Sequence, residues 1–232
     1  MSVTKTADCD LLYLSTIDYG RALLVQKELH KKRCTGDIPD TLIFCEHPTV
    51  ITLGRRAARE NILVSEEYLR CHNIPVISTD RGGDVTLHAP GQIVAYPIFD
   101  LKRIGKDIRL FLRKLEEVML SFLYEYGIYG QRVDGRTGVW IEDRKIGFIG
   151  IAISKWVSYH GISVNVNADL NFFRLIYPCG IKDKLVTSLC CEPGRKVSVQ
   201  EAGNKLACAF ATVFDLAFTA NPNALNAFGL ID

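Results

Sequence analysis

Residues Arg81 to Asp100 read RGGDVTLHAPGQIVAYPIFD, and the backbone demands of this stretch decide how the rest of the chain is arranged. Gly82-Gly83 can take a positive φ or let another segment approach closely. Asp84 to Leu87 alternate as a strand does, bringing Thr86 and then His88 to the strand's end. Ala89-Pro90-Gly91 is a tight reversal in which Pro90 fixes φ and Gly91 supplies the turn. Ile93 to Phe99 return as an apolar strand. Two glycine-bearing bends and a strand carrying His88 thus face one cleft, which makes a wall suited to a ligand.

Working outward, Leu11–Ile17 reads as an opening strand. Asp18 caps a helix to about Arg33, with Ala22, Leu23, Val25, Gln26 and Leu29 spaced for one buried face. Thr41–Cys45 and Thr49–Leu53 are strand-like and are split by the corner Glu46-His47-Pro48. A basic loop runs from Gly54 to Arg59, followed by a short helix near Glu66–Cys71 and a strand at Pro75–Ser78. Downstream, Asp107–Tyr126 carries apolar residues at i, i+3, i+4 and i+7. Its other face holds Lys106, Arg109, Arg113, Lys114, Glu116 and Glu117, read as a solvated face or as a docking surface for an acidic partner. Gly138–Ile141, Ile146–Ser154 and Trp156–Val166 read as hairpin-linked strands, and a short helix lies near Phe172–Ile176. Ser198 and Glu201 form a capping box for a helix to about Phe218. Mixed helices and adjacent hairpins predict an α+β fold in one domain spanning 1–232, with a loop-like stretch from Thr187 to Arg195 that opens a possible small C-terminal subdomain from about 187.

The chain's 232 residues suffice for a full core. A net charge of +2 with both signs interspersed argues against a dedicated nucleic-acid binder. Its eight cysteines (9, 34, 45, 71, 179, 190, 191 and 208) form no C-x-x-C pair and show no zinc-ligand spacing. The longest apolar runs fall far short of a membrane span, and the N-terminus lacks a leader pattern, so the expectation is a cytoplasmic protein.

Two residues stand out chemically. Cys179 lies between Pro178 and Gly180, in a turn where a core cysteine gains nothing; it is a structural thiol or a nucleophile. Lys145 opens the otherwise apolar KIGFIGI, so its ammonium is either partly desolvated and usable as a base or exposed at a hairpin mouth. Of the histidines, His30 and His72 sit in ordinary contexts, His47 and His160 adjoin turn-formers, and His88 closes the central strand. Cys179 with His88 would suggest a cysteine hydrolase, although no segment resembles a helix-borne nucleophile. The chain has neither a G-x-x-x-x-G-K-[ST] loop nor a G-x-G-x-x-G fingerprint.

Several motifs then occur in a telling order: EHPTVITLGRR at Glu46–Arg56, RGGDVTLHAPGQ from Arg81, TGVW at Thr137–Trp140, KIGFIGI from Lys145, His160-Gly161, NFF followed by IYPCGI from Asn171 to Ile181, and TSL from Thr187. Together they resemble the lipoyl(octanoyl) transferase family from about Leu12 to Leu189. Leu87 and Ala89 depart from the family pattern, which bears on acyl-chain length rather than on the reaction.

The resemblance implies a biotin/lipoate protein ligase-like fold, with a larger sheet and helices beside a smaller C-terminal unit. It implies transfer of an octanoyl group from octanoyl-acyl carrier protein to a lysine of lipoyl domains, as in 2-oxoacid dehydrogenase complexes and the glycine cleavage H protein. Cys179 matches the acyl-thioester nucleophile and Lys145 its proton-shuttling lysine. Substrate contacts are expected at Arg81, Gly82, Gly83, Asp84, Val85, Thr86, Leu87 and His88, at Phe148, Ile149 and Gly150, and at Gly161, Ile162 and Ser163. An octanoyl slot is expected around Val85, Leu87, Phe148 and Ile149. No metal, nucleotide or other cofactor is expected, and no membrane or nucleic-acid partner. The carrier is expected to dock on Arg55, Arg56 and Arg59 or on Arg109 and Arg113. The rival readings are an ATP-dependent lipoate or biotin ligase and a non-catalytic module that binds acylated carriers.

Overall fold

The strand that follows the Ala89-Pro90-Gly91 reversal lies in the middle of the molecule. The computed structural model describes residues 6–180, 185–192 and 196–220. Before the reversal come β1 (Ala7–Thr16), α1 (Tyr19–Thr35), β2 (Asp40–Glu46), β3 (Val50–Leu53), α2 (Glu66–Cys71), β4 (Val76–Ser78) and β5 (Val85–His88). After it come β6 (Gln92–Ile98), α3 (Ile108–Tyr124), β7 (Gln131–Val133), β8 (Arg136–Ile141), β9 (Arg144–Ser154), β10 (Val157–Asn165), α4 (Val199–Phe214) and β11 (Leu216–Ala220). One sheet runs β11-β1-β2-β6-β10-β9-β8-β7, and a second runs β4-β3-β5. Both sheets mix parallel and antiparallel pairs, in agreement with the α+β expectation.

Helices cover both faces of the large sheet, which is why β6 is apolar on both sides. Val94, Tyr96 and Ile98 pack with Ala22, Val25 and Leu29 of α1. Ile93 and Ala95 face the other way, toward Phe111, Leu115 and Phe122 of α3 and Leu206 and Phe210 of α4. Each such fully buried side chain contributes roughly 1.5–3 kcal/mol. A third cluster holds the small sheet to the large one: Ile51, Val85 and Leu87 pack with Phe148, Phe173 and Ile176. The site lies along this seam.

Several expectations need correction. The last helix stops at Phe214, where Asp215 turns left-handed (φ 55°, ψ 60°). The next residues form β11, parallel to β1. Leu216 and Phe218 alternate into the core, a period-2 signal too short to stand out beside a strong helical pattern. The opening strand begins at Ala7, earlier than Leu11, because its first half pairs with β11. Strand β7 was not foreseen. Glu116 is not solvated, since it is buried beneath Arg113 and Arg132. Ile181, which closes the IYPCGI motif, and residues 193–195 of the Thr187–Arg195 stretch lie outside the described residues.

Candidate active site

A slip in strand register aims Lys145. Along β8 and β9, Trp140 pairs with Lys145 and Val139 with Gly147, so Ile146 is an extra residue on β9. Such a bulge rotates a strand and redirects a side chain. Ile146 thereby joins the core faced by Ile149 and Ile151, and the buried Lys145 turns toward Cys179. Its backbone is clamped as well. Lys145 N–H donates to Leu185 O and Thr187 N–H to Lys145 O, both at 2.9 Å, so the TSL motif fixes the lysine's strand. The ammonium donates to Thr137 O at 2.9 Å and to Cys179 Sγ at 3.3 Å. It also lies 5.1 Å from the Phe148 ring centroid and 5.3 Å from that of Trp140, faces that favour a cation. Gly138 makes room for this arrangement. At its φ of +114°, an added Cβ would stand 2.4 Å from Gly147 O and 2.9 Å from Lys145 Cε.

Cys179 is held just as firmly. Its own φ is +57°, a left-handed conformation that a non-glycine residue adopts only when its surroundings impose it. The preceding segment is tied to the chain at 61–63: Tyr177 N–H donates to Asn61 O at 2.8 Å, and Leu63 N–H donates to Leu175 O at 2.8 Å. Asp84 braces the other side. Its carboxylate accepts from Asn61 Nδ2 at 2.6 Å, Val85 N at 2.7 Å and Ala58 N at 3.0 Å. It lies so close to Gly180 that a Cβ there would fall 2.6 Å from Oδ2. The P-C-G triplet is therefore a shaped turn presenting a thiol. Among the described residues, the side chain bonded to that thiol is Lys145 and not a histidine.

Two cavities meet at Cys179. The inner one lies between the small sheet and the large sheet, with Phe148, Ile149, Val94 and Ile162 in its walls and Tyr19, Tyr96, His88 and His160 also lining it. Strand β5 walls this narrow cavity through Thr86 and His88. The outer one is an open groove of about 530 Å³, lined in part by Arg56, Arg136, Thr137, Leu112 and Lys145.

Histidines line the inner cavity and the core behind it, and burial disfavours the charged form of each. Burial pushes His88 down to about 3, helped by nearby His47, and its Nδ1 pairs with Gln92 Oε1 at 2.6 Å. Burial likewise brings His47 to about 4, between Ile17 O and the Tyr96 hydroxyl, each 2.7 Å away. His160 takes a left-handed φ of +55° and meets Asp80 Oδ1 at 2.8 Å. Burial opposes ionisation of Asp80, but hydrogen bonds from His160 and Tyr159 hold its carboxyl at about 2. From His88 a buried chain runs on: Gln92 Nε2 donates to Asn165 Oδ1 at 2.8 Å, and Asn165 Nδ2 donates to Thr187 O at 3.0 Å. The cavity wall and the Lys145 clamp thus share one network.

Most of the residues named from sequence converge here. Arg81, Gly83, Asp84, Thr86, His88, Phe148, Ile149, Gly150, Gly161, Ile162, Ser163 and Cys179 line the inner cavity, while Gly82 and Lys145 line the groove. Arg81 is buried and bonded to Thr52 Oγ1, Thr52 O and Gly82 O. The structure does not bring Val85 and Leu87 into the cavity. They alternate with Thr86 and His88, and so face the core shared with Ala89 and Phe173. The two departures from the family pattern, Leu87 and Ala89, thus sit behind the wall. Sequence reading missed Tyr19, Val94 and Tyr96; the period-2 pairing of Val94 with Tyr96 on β6 was the available signal, while Tyr19 arrives only through tertiary packing. Among the described residues, no group of three or more His, Cys, Asp or Glu is placed to hold a metal ion, and no helix is long and apolar enough to cross a membrane.

Comparison with known proteins gives a consistent picture. The lipoyl protein ligase A/B catalytic domain matches residues 18–211. The octanoyltransferase of Caldicellulosiruptor saccharolyticus is 47% identical over 211 residues, 90% of each chain. That of Chloroflexus aggregans is 44% identical over 207 residues, covering 88% of this chain and 94% of the relative. Among solved structures, lipoate-protein ligase A bound with ATP aligns with a TM-score of 0.78 at 17% identity, covering 95% of this chain and 92% of that one. The biotin protein ligase of Aquifex aeolicus aligns with a TM-score of 0.51 at 15% identity, covering 88% and 68%. At those identities the structural matches speak for the fold alone, and it is the biotin/lipoate protein ligase-like fold.

Proposed function

Because this chain belongs to the lipoyl protein ligase A/B catalytic family, and within it to the octanoyltransferases, we propose that it moves an octanoyl group through a thioester on Cys179 to a lysine of a lipoyl domain. The observation that carries this reading is the 3.3 Å contact between Lys145 Nζ and Cys179 Sγ where the two cavities meet.

Each part of the chemistry has a group to perform it. The Cys179 thiolate, stabilised by the adjacent ammonium, attacks the carbonyl of an octanoyl thioester borne by acyl carrier protein. The carrier thiolate leaves and takes a proton from Lys145. The octanoyl chain then lies in the inner cavity, beside Phe148, Val94 and Ile162. The target lysine enters by the groove as an ammonium and gives one proton to Lys145, which restores its charge. Its amine attacks the thioester, the second proton leaves to solvent, and Cys179 departs as thiolate. A thioester becomes an amide, so the reaction runs downhill without a nucleotide. The cavity walls keep water from the intermediate, which would otherwise hydrolyse.

The groove also suits the donor. Of the arginines singled out from sequence, Arg59 is paired with Glu66 and Arg113 with Glu116. Arg56 instead lines the groove, across from Arg136, which sequence reading did not select. Among the described residues lining the groove, the one acid, Asp84, is already committed to Asn61, Ala58 and Val85. Two guanidiniums at the entrance fit an anionic, phosphate-linked carrier arm better than a neutral one.

The experiment that separates this function from an ATP-dependent ligase on the same fold compares two mixtures with apo lipoyl domain. One holds octanoyl carrier protein without ATP; the other holds octanoic acid, ATP and magnesium. Modification in the first mixture alone supports the proposal, and modification confined to the second overturns it.

A further inference from the structure

Glu116 has no step in the reaction above, yet it is 4% exposed, and each of its oxygens is engaged. Oε2 accepts from Arg113 Nη1 at 2.8 Å and Arg132 Nε at 3.1 Å. Oε1 accepts from the backbone N–H of Gly138 at 3.3 Å. That N–H belongs to the same planar peptide unit as the Thr137 carbonyl, which accepts from Lys145 Nζ at 2.9 Å. One rigid peptide therefore joins a buried carboxylate on its N–H side to the site's ammonium on its C=O side. We propose that Glu116 is a positioning residue for Lys145, acting through the Thr137–Gly138 peptide.

Three features make this more than a buried ion pair. The peptide adjoins the β8–β9 register slip, and neither Thr137 nor Gly138 has a register partner on β7 or β9. Gly138 has a φ of +114°, which glycine adopts without steric preference, so its own backbone does not fix the peptide's orientation. A carboxylate at the N–H end also polarises the peptide, strengthening its carbonyl as the acceptor for Lys145. The charged groups around Glu116 are Arg113 from its own helix and Arg132 from β7, the latter also bonded to Glu117 at 2.6 Å. These two cations offset the cost of burying the carboxylate. Their side chains are 61% and 32% exposed, so meeting them alone would not require burying the acid.

The proposal rests on Lys145 and Cys179 forming the acyl-transfer pair, and its test reads Cys179 independently of transfer. Site-resolved iodoacetamide alkylation reports the thiolate at residue 179, alongside kcat, KM for the octanoyl donor, and melting temperature. Glu116→Leu is expected to lower kcat and Cys179 alkylation by about 10-fold or more, the usual worth of a hydrogen bond to a charged group. KM should stay within about twofold. Glu116→Gln, which keeps an oxygen on Gly138 N–H, retains most of both rates. Arg132→Ala lowers the melting temperature but leaves alkylation near the parent rate. In a Lys145→Met background, Glu116→Leu has no further effect on alkylation. If Glu116→Leu does not fold, Glu116→Ala replaces it in every comparison. Parent-like alkylation in Glu116→Leu, an equal loss in Arg132→Ala, or a loss in Glu116→Gln as deep as in Glu116→Leu overturns the assignment. A parent protein that never acylates Cys179 would instead count against the transfer reading.

Discussion

Replacing Lys145 by Met removes one ammonium and leaves a stem of similar length, so it isolates the charge from the packing. The ammonium is 3.3 Å from Cys179 Sγ, and at an effective dielectric of about 20 its attraction to a thiolate amounts to about 5 kcal/mol. Part of that is already balanced by its bond to Thr137 O and by the two ring faces. Losing a group of this kind slows reactions by about 10²- to 10⁴-fold, equivalent to about 3–5 kcal/mol. Lys145→Met should therefore acylate Cys179 between 10² and 10⁴ times more slowly, roughly, than the parent. Because Thr137 O and Cys179 Sγ both lose their partner, the melting temperature should fall, and acylation is read at a temperature where the variant is folded. The assay is single-turnover mass spectrometry of the Cys179 peptide after mixing with octanoyl carrier protein. Acylation within about threefold of the parent, well short of that range, would refute the role given to Lys145.

Other outcomes follow from the same geometry. Gly138→Ala should abolish transfer and lower stability, because its Cβ would meet Gly147 O at 2.4 Å; a melting curve and an activity assay check both, and full activity would contradict the close approach. Charge reversal at Arg56 and Arg136 should raise KM for octanoyl carrier protein by about 10-fold and leave octanoyl-pantetheine unaffected, with the parent's preference fading in high salt; equal losses with both donors would contradict it. His47 and His88 have folded values of about 4 and about 3 against an ordinary 6.5, so the unfolded chain takes up protons first. Stability is then intact above about pH 6.5 and falls as pH drops toward those folded values, by about 2 kcal/mol for each histidine at pH 5. Urea unfolding at pH 7 and pH 5 measures this, and unchanged stability would count against neutral imidazoles.

Much of this architecture was legible in the chain. Pro90, Gly91 and the flanking alternation define the reversal between β5 and β6, because proline and glycine act locally. Helix α3 was plain from its apolar spacing, Asp18 and Ser198 cap as expected, and Asp107, read as the first helical residue, is also an N-cap. What stayed hidden depends on partners distant in sequence. Glu116 looks solvated on a helical wheel until β7 and β8 arrive above it. The face that Lys145 adopts depends on a register slip that no spacing rule exposes. The family resemblance and strand apolarity both point to Val85 and Leu87 as ligand wall, whereas β5 is buried on both faces and its polar residues, Thr86 and His88, face the cavity. Cys179 stood out because a proline and a glycine enclose it, and the family resemblance named Lys145 as its partner, but the 3.3 Å contact across 34 positions of chain is set by the fold.

In the proposed reaction a thiol beside an amine carries the acyl group between two proteins. The most direct measurement is the intact mass of the protein after exposure to octanoyl carrier protein without ATP. The expected result is a gain of one octanoyl group that maps to Cys179, is absent from Cys179→Ala, and disappears when apo lipoyl domain is added. A transfer that proceeds in full while Cys179→Ala stays as active as the parent would contradict it.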